Sequence, residues 1–109
     1  MVAESQLGEI AGFENHGAQT DLIGDAQPFA RVTRRHGHGP VAEGVIAGHR
    51  VGTNLHGPFL PMNPAWADWF LDAAAELAGV TASAPAAALA TVDERAAKSR
   101  AAIRARLGG

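Results

Sequence analysis

The run that begins at Asn63-Pro64 constrains the fold more than any other part of the sequence. Asparagine suits the residue just before a helix, where its side chain accepts from free amide groups, and proline is tolerated at the first helical position. Trp66, Trp69, Phe70, Ala73 and Leu77 follow at offsets 0, 3, 4, 7 and 11, which places them on one helical face. Asp68, Asp72 and Glu76 lie one turn apart on another face and read as its solvent side, and Gly79 stands where a C-terminal cap belongs. The spacing predicts a helix over Asn63–Ala78, with an aromatic stripe that needs an apolar layer beneath it.

The segments before it are short and punctuated by glycine. Glu9 to Asn15 alternates weakly and runs into His16-Gly17, which predicts a short strand ending in a polar loop. Gly24 to Pro28 is a turn cluster, and Phe29 to Arg35 reads as an exposed or edge strand broken by Gly37, Gly39 and Pro40. Gly44–Gly48 and Arg50–Leu55 read as two strands with a tight reversal at Gly48-His49. The prolines of His56-Gly57-Pro58-Phe59-Leu60-Pro61 forbid regular pairing there. Residues 81–85 read as a linker. Ala86 to Leu107 has good helix propensity, with acids early and bases late, and its apolar face of Leu89, Val92, Ala96, Ile103 and Leu107 is thin. A loosely docked or partner-binding tail is the expectation there.

Length and charge bound the function. At 109 residues the chain has the size of one small domain, and a net charge of −2 argues against whole-protein attraction to nucleic acid or anionic lipid. No apolar run approaches the ~20 residues that cross a bilayer, and Met1 to Glu9 lacks the basic start and apolar stretch of a secretory signal. The sequence holds no cysteine, so it offers no disulfide, no thiolate metal site and no thiol nucleophile. A soluble, cytosolic protein is the simplest expectation.

Two stretches carry residues suited to chemistry. His56, in Gly52-Thr53-Asn54-Leu55-His56-Gly57-Pro58, follows a strand and opens a loop, the place where α/β folds present reactive groups. A histidine there can serve as a general base, because it titrates near neutrality. A histidine that merely bonds a backbone carbonyl at a strand end fits the same residues. Gly12-Phe13-Glu14-Asn15-His16-Gly17 has small residues that allow close approach to a ligand, although taken alone a polar turn after a strand is the simpler reading. His36 and His38 alternate as metal ligands sometimes do, with His49 as a conceivable third, but no spaced partner set accompanies them, and no metal or cofactor is expected. Arg31, Arg34 and Arg35 read as a solvated strand and loop, since no aromatic platform accompanies them.

Taken together, Gly12-Phe13-Glu14-Asn15-His16-Gly17 and the later Gly52-Thr53-Asn54-Leu55-His56-Gly57-Pro58-Phe59-Leu60-Pro61-Met62-Asn63-Pro64 resemble the cobyric-acid-synthase-like branch of class I glutamine amidotransferases. Within that branch they are most similar to the glutaminase subunits of lipid II isoglutaminyl synthases. The resemblance covers roughly residues 9 to 78, and the second motif is the more specific. It implies an α/β fold, the C-terminal part of a flavodoxin-like class I amidotransferase domain over residues 1–80, followed by the Ala-rich helix within 81–109.

The resemblance also implies a chemistry. A cysteine attacks the side-chain amide of glutamine, and a histidine matching His56 deprotonates the thiol and protonates the departing ammonia. Residues matching Asn15, His16 and Gly17 help hold the substrate glutamine. Ammonia then passes to an ATP-using, Mur-ligase-like synthetase subunit, which amidates the D-glutamate of lipid II in peptidoglycan synthesis. Amidation of a cobalamin precursor is the alternative acceptor chemistry, which Asn15 disfavours, and a catalytically dead binding or scaffold module is the alternative outside enzymology. The cysteine must come from a separate N-terminal half, so the chain is expected to be inactive alone. His56 also lacks the acid two residues on that orients the imidazole in typical class I enzymes; Pro58 stands there. Asn54 replaces a tyrosine common in the family, the loop from His36 to Glu43 is shorter than the family's, and the tail after Thr81 is unexplained by the resemblance.

Overall fold

A computed structural model describes residues 1–81 and 86–108. In it the chain is a mixed helix-and-strand structure. The strands are β1 (Val2–Ser5), β2 (Gly8–Ala11), β3 (Phe13–Glu14), β4 (Ala30–Arg34), β5 (Ala42–Glu43), β6 (Val45–Ala47), β7 (Arg50–Gly52) and β8 (Leu55–His56). The helices are α1 (Phe59–Met62), α2 (Pro64–Ala78) and α3 (Ala86–Arg106).

A four-stranded sheet runs in the order β2-β1-β4-β5, and its neighbours pair antiparallel. Its centre, β1, lies in the stretch noted in the sequence only for lacking a signal. Val2 and Ala3 are fully buried there, and a two-residue loop at Gln6-Leu7 returns the chain into β2. Gly8 takes φ +96° at that return, a conformation that favours glycine, while the Ser5 hydroxyl donates to the Gly8 carbonyl at 2.7 Å. The strand expected over Phe29–Arg35 is present as β4, but it is no edge: β1 pairs on one side and β5 on the other. β6 and β7 form the expected hairpin about Gly48-His49. β3 pairs with β8 as a separate two-stranded ribbon.

α2 carries the core. Trp66 is 1% exposed, with its ring 4.6 Å from Phe29 and 5.2 Å from Trp69, both edge-on, and its indole N–H donates to the Ser5 hydroxyl at 3.0 Å. Met1, Ala3, Ile10, Phe29, Ala30 and Leu55 complete the buried cluster around it. The predicted stripe thus holds from Trp66 to Ala73 and fails at Leu77, which is 76% exposed. Gly79 closes the helix in the left-handed conformation at φ +68°, as its position suggested.

Asn63 behaves differently from a helix cap. Its side chain makes no capping bond to α2. It accepts from the Ala11 N–H at 2.9 Å and donates to the Ala11 carbonyl at 3.0 Å and the Phe59 carbonyl at 2.9 Å. A side-chain amide presents the same donor and acceptor as a peptide group, so Asn63 satisfies Ala11 as another strand would. Both residues are buried. Asn63→Ala is therefore expected to cost about 2–4 kcal/mol, because two buried backbone groups lose their partners. Urea unfolding of the variant measures it, and a loss under 1 kcal/mol would show that water replaces the amide.

Proline-rich Phe59-Leu60-Pro61 forms the single turn α1 rather than an irregular loop, after a cis Gly57–Pro58 peptide. The expected linker lies, from residue 82 on, outside the described residues. α3 packs against α1 and β2. Its side chains anchor it through Arg100, which donates to the Met62 carbonyl at 2.5 Å, and through Arg104, which pairs with Glu9. No helix among the described residues is long and apolar enough to cross a membrane.

Candidate functional site

The two motifs meet. Phe13 lies opposite His56 and Glu14 opposite Leu55 in the antiparallel β3–β8 ribbon, so residues about forty apart in sequence become immediate neighbours. Gly12 makes this possible. A Cβ on Gly12 would lie 2.8 Å from the His56 carbonyl oxygen and 3.1 Å from the Leu55 Cβ. Gly12→Val is expected to splay the ribbon and cost about 1–3 kcal/mol, read as faster amide exchange at Glu14 and Leu55. Unchanged exchange at both would show that the ribbon tolerates the side chain.

Side chains alternate across a strand, so the ribbon has two faces. Leu55 turns into the core and is 4% exposed, whereas His56 is exposed and shares its face with Phe13, itself 54% exposed. No side-chain hydrogen bond to the His56 imidazole occurs among the described residues. A cavity of about 280 Å³ opens on this side between Phe13, Gly57, Met62 and the α3 residues Ser99, Ala102 and Ile103. A Cβ on Gly57 would meet the Met62 sulfur at 2.3 Å, so the turn after His56 also needs glycine.

A larger cleft, of about 400 Å³, is lined by Glu14, His16, Gly17, Arg35, Glu43 and Asn54 among others. His16 and Gly17 thus lie on the cleft, while Asn15 is exposed just after β3 and His56 sits outside the lining. The His16 ring is held between the Ala18 carbonyl, 2.8 Å from Nδ1, and Glu14, 3.8 Å from Nε2. His36 and His38 line the cleft as well, whereas His49 packs edge-on against Trp69 at 5.7 Å.

Arg35 corrects the reading of the arginines as solvated. Its side chain is only 13% exposed. It pairs with Glu14 and donates to the Pro40 carbonyl at 2.9 Å, and the bare Cα of Gly39 leaves the room its guanidinium fills. Nearby, the Met1 ammonium donates to the Gly12 carbonyl at 2.8 Å. Burial pushes that amine below its ordinary value, with Glu14 opposing the shift. Glu43 is the other residue that sequence reasoning passed over. It is 3% exposed and accepts from the Thr53 hydroxyl at 2.5 Å and the Asn54 N–H at 2.8 Å. The only local signal was an acid followed by glycine at the mouth of a strand.

The model of the CobB/CobQ-like glutamine amidotransferase domain matches residues 2–64, more than half of the chain. The chain belongs to this amidotransferase family. The match spans every strand of the structure and the ribbon that joins the two motifs. The amidotransferase chain is also similar to the lipid II isoglutaminyl synthase (glutamine-hydrolyzing) subunit GatD of Staphylococcus aureus (strain N315), at 35% identity over 82 residues. That alignment covers 73% of this chain and 33% of the relative, so the chain spans about a third of the length of the curated protein it matches. No solved structure matches it.

Proposed function

We propose that this chain is the histidine-bearing part of a glutaminase that supplies ammonia from glutamine to an ATP-using, Mur-ligase-like synthetase amidating the D-glutamate of lipid II. The observation that carries the reading is the β3–β8 pairing, which sets Asn15-His16-Gly17 and His56 at the ends of one ribbon in a chain of the amidotransferase family. The similarity to a lipid II isoglutaminyl synthase subunit supports the choice of acceptor. In this reading residues 1–80 are the C-terminal part of a flavodoxin-like amidotransferase domain, and 81–109 form a linker and helical tail.

His56 would take the proton of a cysteine thiol, and the thiolate would attack the side-chain carbonyl carbon of glutamine. The carbon–nitrogen bond breaks, ammonia leaves with the proton returned by the imidazolium, and a glutamyl thioester remains for water to hydrolyse. The loop of Asn15, His16 and Gly17 would hold the glutamine. The 109 residues contain no cysteine, so the thiol must come from a polypeptide segment outside them.

The test is ammonia release from glutamine by the chain alone and by a mixture with a Cys-bearing amidotransferase segment and a Mur-ligase-like synthetase. Activity confined to the mixture supports the reading. A silent mixture, under conditions where an intact homologous enzyme turns over, favours a second reading, a binding or scaffold module.

A further inference from the structure

Burying an ionised carboxylate is costly unless hydrogen bonds replace its water, and a charged partner lowers the cost further. Glu43 is 3% exposed, and among the described residues it forms no ion pair. Its Oε1 accepts both the Thr53 hydroxyl and the Asn54 N–H, at 2.5 and 2.8 Å. Because the Thr53 hydroxyl proton is committed to Glu43, a lone pair of the same oxygen is free to accept the Leu55 N–H at 3.1 Å. One buried carboxylate thereby organises three consecutive residues leading into His56.

The neighbouring glycine makes the approach possible. Gly44 has φ +63°, and a Cβ there would lie 2.3 Å from the Gly52 carbonyl oxygen and 3.3 Å from the Thr53 Cα. Gly44 lets the chain after Glu43 run against the chain before Leu55, and Glu43 then bolts the two together. β8 is only two residues long and has β3 as its partner, so its own ladder offers little to fix the direction of His56.

We infer that Glu43 is a positioning residue, acting through Thr53 and Asn54 to set the strand from which His56 reaches its substrate. The functional part of this inference rests on the glutaminase reading above; the structural part does not. It predicts two separate results. In the active mixture, with glutamine as substrate, Glu43→Ala lowers kcat about ten- to hundredfold while KM stays within about threefold, the penalty of a misplaced catalytic group. Glu43→Gln, which keeps the accepting oxygen, and Thr53→Ser, which keeps the hydroxyl, each recover most of the loss seen in Glu43→Ala and Thr53→Val.

In the chain alone, hydrogen exchange at the Leu55 amide rises about tenfold or more in Glu43→Ala, while exchange at Ala3 and Ile10 in the central sheet is unchanged. An equal rise at all three amides, or a kcat loss that only follows the unfolded fraction, would overturn the inference by making Glu43 a general stabiliser. Wild-type Leu55 exchange and wild-type kcat in Glu43→Ala would overturn it outright. A silent wild-type mixture sinks the glutaminase reading instead, and the exchange pattern then decides alone whether Glu43 sets the strand.

Discussion

Trp66→Ala is expected to cost about 3–5 kcal/mol, the range for deleting a buried aromatic side chain. Small domains are commonly stable by only about 5–15 kcal/mol, so this one change removes a large part of what holds the fold. The reason is position. Trp66 is 1% exposed and touches Phe29 from below and Trp69 and Phe70 from its own helix, so it links α2 to the sheet. Its indole N–H also ties the helix to Ser5 at the end of β1, and that hydroxyl would keep only the longer bond from the Leu7 N–H. Trp66→Phe keeps most of the contact and loses the hydrogen bond, and should cost clearly less. Urea unfolding followed by near-ultraviolet circular dichroism gives both values. If the alanine variant unfolded within 1 kcal/mol of wild type, α2 would not be the element that organises the core.

His56→Ala should leave stability almost untouched and remove activity. The side chain is exposed and lies outside the buried cluster, and exposed substitutions usually fall within about 0.5 kcal/mol. In the mixture with a Cys-bearing segment, loss of a general base is expected to lower kcat by about 10²–10⁴-fold. The effect on KM for glutamine should be small, since in the proposed mechanism the imidazole acts on the thiol and the leaving nitrogen rather than on the bound amino acid. Burst-free, slow ammonia release with an unchanged melting curve is the predicted signature. A variant that kept a third or more of the wild-type kcat would show that another group carries the proton, and His56 would be a strand-end residue only.

What the sequence made legible has a common property: it is local. α2 declared itself through a stripe repeating at helical spacing, and the β6–β7 hairpin through a glycine at its turn. The two motifs could be found and related to a family, yet nothing in either showed that Phe13 pairs with His56. Asn63 shows the limit most clearly. As the residue before Pro64 it looks like a helix cap, but its partner is a backbone group 52 residues earlier, and no local pattern encodes that choice. β1 escaped notice because four residues with two small side chains carry little periodic signal, although the sheet is built around them. Arg35 and Glu43 were misjudged or passed over for a related reason. Charge predicts exposure on average, and these two are exceptions because Gly39 and Gly44 clear the space beside them.

The attachment of α3 has a consequence of another kind. Beside its buried Ala96, the helix is fastened by guanidinium groups: Arg104 grips Glu9 in the open, Arg34 reaches the Gly108 carbonyl at 3.1 Å on the surface, and Arg100 holds the Met62 carbonyl in a half-buried setting. Leu89 and Val92, near its start, stay 39% and 50% exposed. Dissolved ions screen exposed charges, most fully beyond a Debye length of about 10 Å at 0.1 M, and act little on sheltered contacts; an exposed pair in direct contact contributes only about 0–1 kcal/mol to begin with. Dissolved electrolyte should therefore act on the last turns of α3 before it acts on the sheet. Raising the salt should weaken the Arg104–Glu9 attachment, read as faster amide exchange in the last turns of α3, while exchange at Ala3 and Ile10 in the sheet stays unchanged.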